Sequence, residues 1–155
     1  VSSAHRIASI QVDNASLPAA NAEIEHQRRV AIFDLVEENS FVPEGSAGGP
    51  YDLKLSSQEN RLAFEIEGPE FSRTHVLSLS PLKTVIRDYA LICESYYEAL
   101  RGSSPSQIES VDMGRRGLHN EGAELLKSRL EGKVELDKET SRRLFTLICA
   151  LYRRG

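Results

Sequence analysis

The sequence has little of what usually announces a function. No apolar run reaches the roughly 20 residues that span a bilayer, and the amino-terminal residues show no basic-then-apolar signal pattern. Both absences point to a cytoplasmic protein without membrane contact. Cysteine is scarce: Cys93 and Cys149 each sit in a Leu-Ile-Cys segment, and neither belongs to a C-x-x-C pair. That excludes a disulfide-stapled scaffold and fits buried free thiols in a reducing compartment. The four histidines show no H-x-x-x-H or H-E-x-x-H spacing, so no metal site is expected. A G-x-S-x-G elbow and a dinucleotide-binding glycine fingerprint are both missing, and nothing calls for a cofactor. Positive charge is also short. With 19 basic against 23 acidic side chains, the net charge is -4. Nucleic acid held by a broad positive field is therefore not an expected partner.

What remains is an ordinary globular composition, 40% hydrophobic and 27% charged over 155 residues. A chain of this size buries about 70% of its unfolded surface without a staple, so residues 1–155 are read as a single domain. The charge is uneven. Residues 1–77 carry 6 basic and 12 acidic side chains, net -6, whereas residues 78–155 carry 13 and 11, net +2. Such asymmetry suits a self-complementary contact or an acidic partner.

Periodicity predicts the elements. Residues 6–12 alternate weakly and read as a strand. Asn21 caps a helix that runs to about Glu38, with Ile24, Ala31, Ile32, Leu35 and Val36 on its apolar face. The glycine-rich EGSAGGP segment precedes a strand and lacks a Gly-Lys-Ser ending, so it reads as a connection rather than a phosphate loop. Three alternating sets follow: Tyr51/Leu53/Leu55, Leu62/Phe64/Ile66 and His75/Leu77/Leu79. Short polar links between them predict an antiparallel meander. From Ser80, read as an N-cap before Pro81, apolar residues recur every three or four positions up to Leu100, with Gly102 as a left-handed cap. Ser104 to Gln107 reads as a capping box, and Asp137 caps a last helix that turns Leu144, Leu147, Ile148 and Leu151 inward. The expected fold class is α+β: an antiparallel sheet of three to four strands in β-α-β-β-β order, packed against a carboxy-terminal set of three to four helices.

One tract breaks the helical rules. Residues 112–122, DMGRRGLHNEG, place three glycines where a helix would lose about 3 kcal/mol relative to alanine. A break is expected, with Gly117 ending one helix and Asn120 capping another. In a continuous helix, Asp112, Arg115, Arg116 and His119 would share a face, and Arg115 would fall between Val111 and Leu118. That face offers forks for an anion, a titratable imidazole and an orienting carboxylate, with Glu121 nearby. The plainer account is a surface bridge from Asp112 to Arg116 and an inter-helix hydrogen bond from His119. The doublets Arg28-Arg29, Arg142-Arg143 and Arg153-Arg154 read as solvated helix faces.

The strings AIFDLVEENSF, GGPYDLKL, DYALICESYYEAL, PSQIESVDMGRRGLHNEGAELLKSRLEGK and TSRRLFTLICAL together resemble a small family of uncharacterised alphaproteobacterial proteins, over nearly the whole chain. The resemblance implies a bacterial cytosolic protein. It brings no activity, cofactor or catalytic residue.

The leading expectation is thus a small non-enzymatic interaction or regulatory module that docks an acidic partner group through Arg115, Arg116, His119 and Asp112. The partner is then a protein or a small anionic ligand. An alternative is a small enzyme acting on an anionic metabolite, with His119 as general acid or base and Glu121 as a second proton-transfer group. A remote alternative is helix-turn-helix DNA binding across residues 117–120, against which Glu121 and Glu124 would repel phosphates.

Overall fold

Three hydrophobic alternations build the centre of the fold. In the computed structural model, which describes residues 4–154, they become β3 (Tyr51–Gln58), β4 (Arg61–Gly68) and β5 (Phe71–Ser78), paired antiparallel in sequence order. Tyr51, Leu53, Leu55, Leu62, Phe64, Ile66 and Leu77 are buried on one face. Helices cover that face. α1 (Ala22–Glu37) brings Ala31 and Leu35, and α4 (Lys138–Leu151) brings Leu144, Leu147, Ile148 and Leu151. The start of α2 (Ser80–Gly102) adds Leu82 and Val85, and the end of α3 (Pro105–Arg129) adds Ala123 and Leu126. The α+β class and its carboxy-terminal helices are as expected.

The sheet is mixed rather than purely antiparallel. β1 (Ile7–Val12) lies at its edge and pairs parallel with β3, giving the order β1-β3-β4-β5. Alternation reports which face is buried but not strand direction. The helix between β1 and β3 carries the chain back to its starting end, which makes the pair parallel. Two further strands escaped the periodicity reading. β2 (Phe41–Pro43) and β6 (Val134–Leu136) form a separate antiparallel pair, each too short to show alternation.

The predicted caps largely hold. Asn21 accepts from the Ile24 N–H at 2.9 Å, Asp137 accepts from Thr140 at 2.8 Å, and Ser104 and Gln107 form the reciprocal capping box. The ends of α2 differ from expectation. Ser80 is its first helical residue and Leu79 its cap, without a side-chain bond. Gly102 is its last helical residue and keeps a negative φ, because Ser103 turns extended and leads straight into the Ser104 cap.

Arg28 is not on a solvated face. It is 5% exposed, and its guanidinium donates to the Ala150 and Leu151 carbonyls at 3.2 and 2.9 Å, to the Pro18 carbonyl at 3.2 Å and to Asn14 Oδ1 at 3.3 Å. Positive charge at the negative end of α4, spread over several acceptors, makes a buried arginine tolerable. Burial still draws its pKa down, with partial relief from Glu25. The glycine-rich loop is tied down too. Ser46 Oγ lies 2.6 Å from the Tyr51 hydroxyl, which also meets His5 Nδ1 at 2.9 Å. Among the described residues, no helix is long and apolar enough to cross a membrane.

Candidate functional site

The tract from Asp112 to Gly122 lies inside one helix. α3 runs unbroken for 25 residues, so neither a stop at Gly117 nor a cap at Asn120 forms, and a helix-turn-helix has no turn there. Close packing explains part of this. A Cβ on Gly122 would come within 2.1 Å of Cζ at the tip of the Phe145 ring on α4, and one on Gly114 within 2.8 Å of Ile92 Cδ1 on α2. These two glycines let neighbouring helices approach closely enough to offset their propensity cost. Gly117 has nothing within 4 Å of its would-be Cβ, and packing does not account for it.

Continuity brings the predicted residues onto one face. Asp112 holds both guanidinium groups. Arg115 Nη2 lies 2.5 Å from Asp112 Oδ1 and Arg116 Nε lies 3.2 Å from Oδ2. Arg115 also stacks over the Tyr96 ring of α2 at 4.7 Å, which fixes its plane. Burial works against its charge, but the bonds with Asp112 and Tyr89 prevail and its pKa is raised. Arg116 keeps 58% of its side chain in solvent, and Met113, one turn earlier on the same face, is 61% exposed. One carboxylate beneath two cations leaves the cluster with net positive charge.

His119 is placed differently. Its ring sits between Tyr89 on α2, 5.3 Å away, and Phe145 on α4, 5.4 Å away. The Thr146 hydroxyl lies 2.7 Å from His119 Nε2 and 3.1 Å from the Arg142 carbonyl, and bridges the two. Nδ1 is buried with no partner. Desolvation, then the charges of Arg142 and Arg115, push the imidazole pKa down to about 4. The ring is therefore neutral near pH 7, with Nδ1 turned inward. Glu121 is exposed, and two residues along a helix place it away from the His119 face. The bridge from Asp112 to Arg116 and the inter-helix bond from His119 are both present. Arg142 donates to Asn120 and Arg143 to the Glu38 carbonyl, so that doublet ties α4 to its neighbours.

Sequence separation concealed two features. Cys93 and Cys149, 56 positions apart, line the same 380 Å³ groove between α1, α2 and α4. Burial raises the pKa of both thiols. Between α2, residues 16–18 and the carboxy-terminal end of α4 runs a larger groove of 740 Å³, whose apolar lining includes Leu17, Ile86, Leu91 and Cys149. Asp112, Arg115, Arg116, His119 and Glu121 line neither groove. Among the described residues, no cluster of three or more histidine, cysteine or acidic side chains is arranged to hold a metal ion.

A family model described as an uncharacterised protein family, UPF0262, matches residues 4–154. A UPF0262 protein of Caulobacter vibrioides is 62% identical over 151 residues, covering 97% of this chain and 95% of the relative. One of Phenylobacterium zucineum is 58% identical over 151 residues with the same coverage. One of Brucella anthropi is 56% identical over 153 residues, again covering 97% and 95%. No solved structure matches.

Proposed function

The chain belongs to the uncharacterised protein family UPF0262, and we propose that it is a non-enzymatic interaction or regulatory module that docks an acidic group of a partner at Arg115 and Arg116. The observation that carries this reading is one carboxylate, Asp112, holding two guanidinium groups on α3 beside the exposed Met113. Asp112 and the Tyr96 ring fix Arg115 before any partner arrives, which lowers the entropic cost of engaging a carboxylate or phosphate. Arg116 supplies the solvent-facing fork. Met113 gives an adaptable apolar contact next to it, the pairing of arginine with apolar surface that interface hot spots favour. His119 serves in this reading as an internal strut between α2 and α4 rather than a proton carrier.

A photo-crosslinking amino acid at Met113, in cells that make the protein, tests the proposal. The expected result is a discrete adduct that Arg116→Glu abolishes and Arg61→Glu, on the exposed side of β4, leaves intact. An adduct that survives both Arg116→Glu and Arg115→Ala in a normally folded protein would overturn the reading.

A further inference from the structure

The larger groove beside α2 combines an apolar floor with a cationic rim. Lys83, Arg87, Arg153 and Arg154 stand around it, against Glu59 and Glu94. Arg87 is paired with Asp88 at 3.5 Å, and Arg153 donates to Gln27 Oε1 at 3.0 Å. The side chains of Lys83 and Arg154 have no ion pair or hydrogen-bond partner among the described residues. At the same rim, Asn60 Nδ2 donates to Ser80 Oγ at 2.7 Å while Asn60 Oδ1 is buried without a partner.

The apolar floor continues beyond the rim. Ala90, Cys149 and Arg153 line both this groove and the 380 Å³ groove between α1, α2 and α4, where Val30, Cys93 and Tyr97 extend the apolar surface. Val30 and Tyr97 are 44% and 54% exposed, so that surface is not covered by the chain itself. Free cations on the first groove, and a mainly apolar surface beyond it that Asp34 and His26 border, match an elongated amphiphile with an anionic head. The volume lies in the range of about 300–1,000 Å³ typical of small-molecule sites.

We propose that this groove binds a medium-chain carboxylic acid, with its carboxylate between Lys83 and Arg154 and its chain laid along Ile86, Ala90 and Cys149 toward Tyr97. The site lies on a different flank of α2 from the Tyr96 contact with Arg115, so the proposal does not depend on partner docking at Arg116.

The test is titration of the full chain with dodecanoate below its micellar concentration, followed by calorimetry and by amide shifts. Each methylene that leaves water adds up to about fourfold in affinity, so binding should strengthen from hexanoate through decanoate to dodecanoate. Shifts should map to α2 between Lys83 and Leu91 and to Cys149. The double variant Lys83→Glu, Arg154→Glu should weaken binding by about tenfold or more. Ala90→Trp, which fills the shared wall, should remove the chain-length dependence. The proposal is overturned if dodecanoate does not bind, if dodecanol binds equally well, or if the charge-reversed protein binds unchanged. Binding to phosphatidylglycerol vesicles without uptake of free dodecanoate overturns it as well, by assigning the cations to a membrane surface.

Discussion

The two halves of α3 follow the same helical geometry in opposite environments. From Pro105 to Gly117 the helix lies along α2, and none of its residues is buried. From Leu118 to Arg129 it packs on α4 and the sheet, with Gly122, Ala123 and Leu126 buried. Gly122 in the second half is needed for space, Gly114 in the first meets only the flexible end of Ile92, and Gly117 meets nothing. The comparison teaches that residues which look alike in a sequence, three glycines in one tract, answer to different forces along a single element. Gly122→Ala should break the body. Its new methyl would meet the fully buried Phe145 ring, which has no room to retreat, and a loss of about 3 kcal/mol is expected in urea unfolding. A cost below about 0.5 kcal/mol would mean that α3 and α4 are not held at this separation.

That prediction also marks what the sequence made legible. The meander, the caps at Asn21, Ser104 and Asp137, and the inward face of α4 all follow from local chemistry or short-period repetition, and all were readable. The continuity of α3 was not, because the ring that pays for Gly122 comes from Phe145, 23 positions later. Arg28 was misplaced for a similar reason. Its acceptors, the carbonyls of Ala150 and Leu151, lie more than 120 positions away. At the candidate site, the bridge from Asp112 to Arg116 is a helical spacing and could be read directly. The Tyr96 stack, the Thr146 partner of His119 and the groove shared by Cys93 and Cys149 require helices to meet. No local pattern encodes those contacts.

His119 sits where the two halves join, and its titration measures how firmly they are joined. In the unfolded chain the imidazole takes a proton near its ordinary value of about 6.5, whereas in the fold it resists until about 4. The folded pKa is thus depressed, and stability is complete above about pH 6.5. It falls as the pH drops toward 4, because the unfolded state binds the proton first, and levels off below that. Discounted for the solvent that reaches the half-buried ring, the loss is about 1–2 kcal/mol. Comparing His119→Gln with the parent between pH 7 and pH 4.5 cancels other groups, including His75, whose pKa is also lowered by burial and by Arg73 and Lys133. Parallel stability curves for the two proteins would show that the ring is not desolvated between Tyr89 and Phe145.

The outer half reverses the sign of the glycine effect. Gly117→Ala places its methyl in open space, so only helix propensity operates, and a gain of about 0.5–1 kcal/mol is expected. Gly114→Ala should lie near zero, since propensity gained is set against moving the flexible end of Ile92. If Gly117→Ala destabilises instead, the space beside Gly117 is filled within the chain itself, and the contrast between the halves disappears.

The smallest effect expected is on stability at Arg116. Its bridge to Asp112 is an exposed pair one helical turn apart, a class worth a few tenths of a kcal/mol, and Asp112 keeps Arg115 when Arg116 is removed. Arg116→Ala should therefore leave the unfolding midpoint within about 0.5 kcal/mol of the parent while it removes the solvent-facing fork. Partner engagement and stability then separate at this residue. A residue kept for the fold would lose both together. A drop of more than about 1 kcal/mol in Arg116→Ala would move the outer half of α3 into the body's own packing. An unchanged midpoint with a lost Met113 adduct would place the arginine on a surface that matters only when something else arrives.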